Sequence, residues 1–312
     1  MKTTPDDRQK LYVTLASCLL LALAWGLWLW RLDASDLTFD ETATYFVAHR
    51  PPLEILQYLQ RAIREHPPVY YLLIRCWMTL VGASEFSLRA FSVSAGMIAL
   101  ALTGRLGRLI DTRRGDDLML ATSTLIPIAL LAVTPGMVFY ARDARMYSLG
   151  VVWTLLAATL FLRDWLRPAA PPRPRAVAAL VAVHALALFT HYYLLFPILI
   201  QALALLVARR RRAFAIWCAA HVPPAIFGLI WLALSPGLQM TTDSLVPRLN
   251  LHLPTVAQAT WMMDRLLFSP IIFERRNLLY GLLALTAAGL LLVLWHRWRA
   301  GTWMALMLML PP

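Results

Sequence analysis

The sequence predicts an all-α, polytopic transmembrane helix bundle, and three observations carry that expectation. Of 312 residues, 60% are hydrophobic and only 15% charged, against about half and a quarter in a soluble domain. The apolar residues fall in long charge-free runs, and a membrane-crossing helix needs roughly 20 such residues. The 29 Lys+Arg and 17 Asp+Glu are not evenly mixed, because most of the basic residues cluster between the runs. A net charge of +12 would suit nucleic acid in a soluble protein; distributed this way it argues against that partner, a soluble enzyme and a disordered tail. Cys18, Cys76 and Cys218 lie far apart in apolar surroundings. They offer no disulfide framework or metal-ligand spacing and read as small core hydrophobes.

The first run, residues 11–30, follows a short polar start and lacks a small-residue cleavage site. It reads as a retained span rather than a signal peptide. Further runs cover residues 90–104, 118–141, 146–162, 176–208, 213–242 and 277–295, and a last one, 300–312, stops after 13 residues. That run is too short to cross, so the chain is expected to end inside a helix, as a truncated membrane domain. The basic clusters set the topology, since Lys and Arg in short loops stay on the cytoplasmic side. They are Lys2/Arg8/Lys10, Arg105/Arg108/Arg113/Arg114, Arg163/Arg167/Arg173/Arg175, Arg209 to Arg212, and Arg297/Arg299. Keeping all of them inside requires residues 176–208 to form a hairpin turning near Thr190, His191 and Tyr192. Nine spans result, the last incomplete, with the amino terminus in the cytoplasm of a plasma (inner) membrane protein.

Residues 67–82 resist this scheme. They approach spanning length but hold Arg75 at their centre, which costs roughly 2.5–3.5 kcal/mol in a bilayer. Together with residues 53–63 they read as interfacial or half-inserted helices. Residues 31–87 thus form a first outer loop within a single domain, 1–312. The proline-rich stretch 167–175 reads as a stiff, extended connection.

Chemistry is expected where ionisable residues sit on the outer face without serving a plain span. Asp33, Asp36, Asp40 and Glu41 open the first outer loop. The first two read as solvated; for the adjacent pair a packed, functional helix start and a solvated acidic loop both remain open. In Tyr-Ala-Arg-Asp-Ala-Arg-Met-Tyr, residues 140–147, Asp143 lies between Arg142 and Arg145. That pattern fits a helix-end ion pair or a phosphate site, because guanidinium forks match phosphate oxygens. His66 precedes Pro67 and Pro68, whose helix start is expected to offer free N–H groups to an anion. His191 marks the hairpin turn. His184 and His221 fall inside runs and read as hydrogen-bonded within the bundle. Among Arg248, Arg265, Glu274, Arg275 and Arg276 the sequence gives no choice. Glycine-rich phosphate loops, HExxH, CxxC pairs and GxSxG are absent.

In order, these pieces resemble a known family. Asp40-Glu41, His66-Pro67-Pro68-Val69-Tyr70-Tyr71, Ser84-Glu85-Phe86-Ser87-Leu88-Arg89, Arg142-Asp143-Ala144-Arg145-Met146-Tyr147 and Thr190-His191-Tyr192 look like the integral-membrane glycosyltransferases that use a polyprenyl-phosphate sugar. That group contains the protein O-mannosyltransferases and the lipid A aminoarabinose transferase, and has the GT-C type of fold. The resemblance covers residues 11–210. It implies Asp40 as catalytic base, Asp143 as the second acid where many relatives carry Gln-Glu, and His66 at the lipid phosphate. From their place on the outer face, Arg142, Arg145 and His191 are expected beside that phosphate, with Glu41 orienting its neighbours. It also implies a longer carboxy-terminal part than this chain has. A divalent cation near Asp40 and Asp143 is compatible with two carboxylates but not required. The expected donor is a polyprenyl-phosphate-linked sugar; the expected acceptor is a lipid, glycan or protein hydroxyl. A transporter or flippase-like carrier, or a non-catalytic scaffold, is the competing reading. Transporters, however, show ionisable or broken segments near the midplane of two related halves.

Sorted by this topology, the inner face takes 17 Lys+Arg and six acids and the outer face 12 Arg and 11 acids. The inner excess is the topology signal, and the nearly neutral outer face holds most of the acids.

Overall fold

The computed structural model describes residues 5–62, 66–110, 117–168 and 170–233. Among them every regular element is helical. In chain order these are α1 (Pro5–Leu29), α2 (Phe39–Ala48), α3 (Pro52–Ala62), α4 (Pro68–Val81), α5 (Glu85–Ile110), α6 (Asp117–Val133), α7 (Pro135–Ala141), α8 (Tyr147–Phe161), α9 (Pro174–Leu188), α10 (Leu195–Val207) and α11 (Arg211–Ala233). A π-turn, Leu162–Leu166, extends α8, and a 3-10 turn, Tyr192–Leu194, precedes α10.

Among the described residues four helices are long and apolar enough to cross a membrane: Lys10–Leu29 of α1, all of α5, Tyr147–Leu166 and all of α11. Ala121–Val133 of α6 with Pro135–Ala141, bent by 67°, is long and apolar enough to be a fifth, as a broken span, or else to form a re-entrant loop. The bend sits at Thr134, whose extended ψ of 121° precedes Pro135 at the first position of α7. Proline restricts its predecessor to such conformations and has no N–H to continue the helix. Pro127, Pro223 and Pro224 lie inside helices without breaking them. The hairpin expected over 176–208 turns where the sequence places it, but its arms are the 15 residues of α9 and the 13 of α10, short of a straight crossing. The spans expected at 277–295 and 300–312, the late loop with its arginines, and Arg113, Arg114, Arg297 and Arg299 lie outside the described residues.

The long helix α5 is the axis, packing on α1, α6 and α8 as well as on α4 and α7. One core, with Trp28, Tyr70, Tyr71, Leu88 and Leu100 at its centre, spans α1 to α8. A second, around Phe161, Trp165, Leu180 and Trp217, joins α8 to α11. Small residues allow the closest crossing. A Cβ on Gly107 would meet the Ser123 carbonyl oxygen at 1.9 Å, and one on Gly104 would meet Ile128 at 2.6 Å. Such residues let helix backbones approach where lipid gives no hydrophobic drive. Away from the cores, Leu15, Leu19 and Leu23 of α1 and Ile226 and Leu229 of α11 remain exposed, the surface a hydrocarbon environment would cover.

That outward apolar surface corrects one expectation. Cys18, Cys76 and Cys218 are exposed free thiols, not core residues. A helix that is apolar on every side has no sequence mark separating its core face from its outer face. Arg75, the anomaly of the 67–82 segment, sends its Nη1 to the carbonyls of Ala48 and His49 at 3.3 and 3.1 Å. It thereby caps the carboxy end of α2 while Tyr70, Tyr71, Ile74 and Met78 of the same helix enter the core.

The helix directions sort the charges. Lys10, Arg105/Arg108, Arg163/Arg167, Arg173/Arg175 and Arg209 to Arg212 fall at one end of the bundle; the starts of α2, α4, α5 and α8 and the end of α9 meet at the other. The Gly107–Ser123 crossing leads to a stability prediction. Gly107→Ala should destabilise the detergent-solubilised protein by about 1–3 kcal/mol, the usual cost of overpacking. Gly228→Ala, with nothing within 4 Å of its Cβ position, should leave the thermal midpoint within a degree or two of the parent; equal effects at both positions would refute the crossing.

Candidate functional site

Helix α2 begins with a capping box. The Thr38 hydroxyl accepts the Glu41 N–H at 3.3 Å, and Glu41 Oε2 accepts the Thr38 N–H at 2.9 Å. The Glu41 carboxylate does far more than cap. Arg89, in the first turn of α5, grips it through Nε and Nη2, both at 2.8 Å, and the Ala144 N–H reaches Oε1 at 3.0 Å. Arg89 spends its remaining donors on carbonyls of the preceding loop, Leu32 at 2.8 Å, Ser35 at 2.9 Å and Asp36 at 3.0 Å. All five guanidinium N–H groups are thus used, and the pair is 5% and 2% exposed. Burial alone would raise the Glu41 carboxyl; the bonds from Arg89, Thr38 and Ala144 outweigh it and hold the group below its ordinary range. Glu41 therefore stays ionised and saturated.

Asp40, one position earlier, is different. It is exposed on the first turn of α2, where the helix dipole favours an acid, and among the described residues its carboxylate makes no hydrogen bond. Its backbone carbonyl accepts Arg145 Nη1 at 3.3 Å, which brings in the 142–146 loop between α7 and α8. Arg145 is 5% exposed, and its Nη2 lies 3.5 Å from His66 Nε2. Tyr71 and Tyr147 stand close enough to feel its charge, while its buried Nε finds no partner among the described residues. The buried Tyr70 hydroxyl, near Asp143 and Arg145, also lacks one. Most buried donors are satisfied, so two orphans beside a carboxylate mark a place for a ligand or water.

Asp143 does not pair with its flanking arginines. Burial, first, and then the negative charge of Glu41 push its carboxyl from the ordinary 3.8 up to about 7; Asp40 adds to the rise, and Arg145 and Arg89 oppose it. Arg142 turns away from Asp143: its Nη2 bonds the Trp30 and Arg31 carbonyls at 2.8 and 3.1 Å, closing the carboxy end of α1. The expected donor-phosphate role for Arg142 thus meets a side chain already engaged as a cap. His191 heads the 3-10 turn, its Nδ1 accepting the Tyr193 N–H at 3.2 Å, and its ring lies 6.1 Å from that of Tyr147. Burial, and then the nearby Arg145 charge, lower its pKa below the ordinary imidazole value. The free N–H groups expected after Pro67 and Pro68 are partly used, because Val69 N–H bonds the Phe189 carbonyl at 2.9 Å. That bond fastens the start of α4 to the hairpin turn.

The fold therefore brings Asp40, Glu41, His66, Asp143, Arg145 and His191 to one end of the bundle, with Arg142 at its rim. Asp33 and Asp36 are exposed, as a solvated loop requires. His184 and His221 pair at 2.8 Å inside the bundle. Among the described residues no three His, Cys, Asp or Glu side chains gather where they could hold a metal ion. Sequence reasoning missed Arg89 as the partner of Glu41 and Tyr70 as a buried polar neighbour. A lone basic residue at the start of an otherwise apolar helix was the available signal for the first. Comparison of the chain with family models, with curated proteins and with solved structures finds no match.

Two measurements follow. Replacing Glu41 by Gln leaves Arg89 buried without its counter-charge, and the loss should be about 3–5 kcal/mol of unfolding free energy, read by denaturation in detergent. For Asp143 the folded chain holds a proton that the unfolded chain has released between about pH 4 and 7. Stability should consequently fall as pH rises through that window. Asp143→Asn should flatten this decline in the thermal midpoint, and an unchanged profile would mean that the carboxyl is not shifted.

Proposed function

We propose that the chain is a membrane glycosyltransferase that moves a sugar from a polyprenyl-phosphate donor to an acceptor hydroxyl. The observation that carries the reading is the meeting, at one end of the bundle, of an exposed carboxylate (Asp40), a neutral-range carboxyl (Asp143) and the Arg145 guanidinium with the His66 imidazole beside it, from separate segments. The ordered motifs that resemble this family are the ones that meet. The basic clusters among the described residues lie at the opposite end, which favours the cytoplasm for that end and the outer face for the site.

The chemistry requires an unbalanced site. A sugar leaving from a phosphate needs no protonating acid, unlike one leaving from a glycosidic oxygen. Asp40, unpaired and exposed, takes the proton of the acceptor hydroxyl as its oxygen attacks the anomeric carbon from the face opposite the phosphate. The bond to the phosphate oxygen breaks and the configuration inverts. Charge returning to the lipid phosphate is met by Arg145, with His66 beside it; preorganised donors aimed at developing charge lower the barrier. Asp143 holds the acceptor by a hydrogen bond, as donor when protonated and as acceptor when not. Glu41 does not react, because its carboxylate is saturated.

The test is transfer in membranes from a panel of labelled polyprenyl-phosphate sugars. Asp40→Asn should lower turnover about 10²–10⁴-fold, the usual contribution of a positioned general base, without shifting the thermal midpoint. Full transfer by this variant would remove the assignment of the base. No release from any donor by the parent chain would favour a carrier or a scaffold.

A further inference from the structure

At the opposite end of the bundle, α9 and α11 run in the same direction, separated in sequence by α10 and in contact along part of their length. Between them lies an open groove of about 480 Å³, walled by Pro172, Pro174, Val177 and Val181 on one side and Ile216 and Ala220 on the other. Its walls are apolar, running over the first two turns of α9 and the second and third turns of α11. Its mouth is basic. Arg173 and Arg175 flank Pro174, and Arg212 lies four residues, about one helical turn, before Ile216, with Arg211 beside it. All four arginines are exposed, and among the described residues none of the four guanidinium groups has a hydrogen bond or an ion pair. Arg163, by contrast, is neutralised by Asp164 at 2.6 Å. The two helix starts at the mouth add the positive ends of their dipoles.

We propose that this groove binds an anionic glycerophospholipid, one acyl chain along the α9–α11 wall and the phosphate on Arg173, Arg175, Arg211 and Arg212. The two halves of the site match the two halves of such a molecule. The apolar walls exclude a soluble anion, and the uncompensated cations select against a zwitterionic lipid. Basic pockets between membrane helices on the cytoplasmic side recognise anionic headgroups in this way. A bound lipid would tie the α9–α10 hairpin, whose arms are short, to α11.

The full chain, purified in detergent and titrated with phosphatidylglycerol or phosphatidylcholine under native mass spectrometry, tests this. Phosphatidylglycerol should be retained preferentially. Arg173→Gln with Arg175→Gln should weaken it roughly 25-fold, at about fivefold for each surface arginine. Ala178 lines the α9 wall between Val177 and Val181, and Ala178→Trp, which narrows the groove without changing its charge, should weaken it as well. Equal retention of the two lipids, or indifference to both sets of substitutions, would overturn the proposal. So would a photo-crosslinking residue at position 178 that captures residues 234–312 of the chain in place of lipid. Because sugar transfer is not the readout, failure here leaves the proposed function standing, and failure of that function leaves this site standing.

Discussion

The ion pair between Glu41 and Arg89 is the constraint on which the site end of the bundle rests. The carboxylate receives four hydrogen bonds, and the guanidinium gives all five of its own. Together they join the 32–36 loop, the start of α2, the axis helix α5 and the 142–146 loop. A buried ion pair is a poor source of net stability, since desolvation offsets much of its attraction. Its value here is geometric. Each oxygen and each N–H has one satisfied arrangement, so the four segments have one mutual placement, and Asp40 and Asp143 are placed as a consequence.

A second regularity extends the first. The site end is where helices stop, so it exposes backbone carbonyls that a continuous helix would have satisfied. Side chains from distant segments take up these carbonyls: Arg142 closes α1, Arg75 closes α2, and Arg89 covers the loop between them. Trp28 does the same for α6, its indole N–H bonding the Ala132 carbonyl at 3.1 Å just before the break at Pro135, where an unbroken helix would have used the Gly136 N–H. Arginine suits the task because its fork reaches two carbonyls at once and its charge complements the negative helix end. Most of the arginines at this end are therefore backbone caps, which leaves Arg145, with an unpartnered Nε, as the cation best placed for a ligand.

Much of this was legible in the sequence. Charge-free runs gave the long helices, the uncharged 176–208 stretch gave a hairpin with its turn at His191, and Pro67-Pro68 gave the start of α4. Those features rest on local composition, on proline's missing N–H and on the length of a crossing. Features that depend on a distant partner were not legible. Nothing near Arg142 in the chain distinguishes a phosphate ligand from a cap for α1, because its acceptors lie more than a hundred residues away. Glu41 and Arg89 were each visible, but not as a pair. Of the prolines inside apolar runs, only Pro135 among those described bends its span; the Leu131 carbonyl that its missing N–H leaves over lies 3.4 Å from the Thr134 N–H, and Trp28 takes up the next carbonyl, that of Ala132.

The adjacent acids Asp40 and Glu41 show how one helix start divides labour. Both lie in the first turn of α2 and differ by one position, about 100° around the helix. That rotation turns Glu41 inward to the cap and Arg89, and Asp40 outward to solvent and the Arg145–His66 cluster. A base needs a lone pair that no permanent donor occupies, and a scaffold acid needs the reverse. Exchanging the two roles would require α2 to roll, which Thr38 and Arg89 both prevent. The third acid, Asp143, lies close enough to Glu41 to feel its fixed negative charge, and that charge helps to keep its own proton near neutrality. The saturated carboxylate thus fixes the placement of one neighbour and helps to set the protonation of the other.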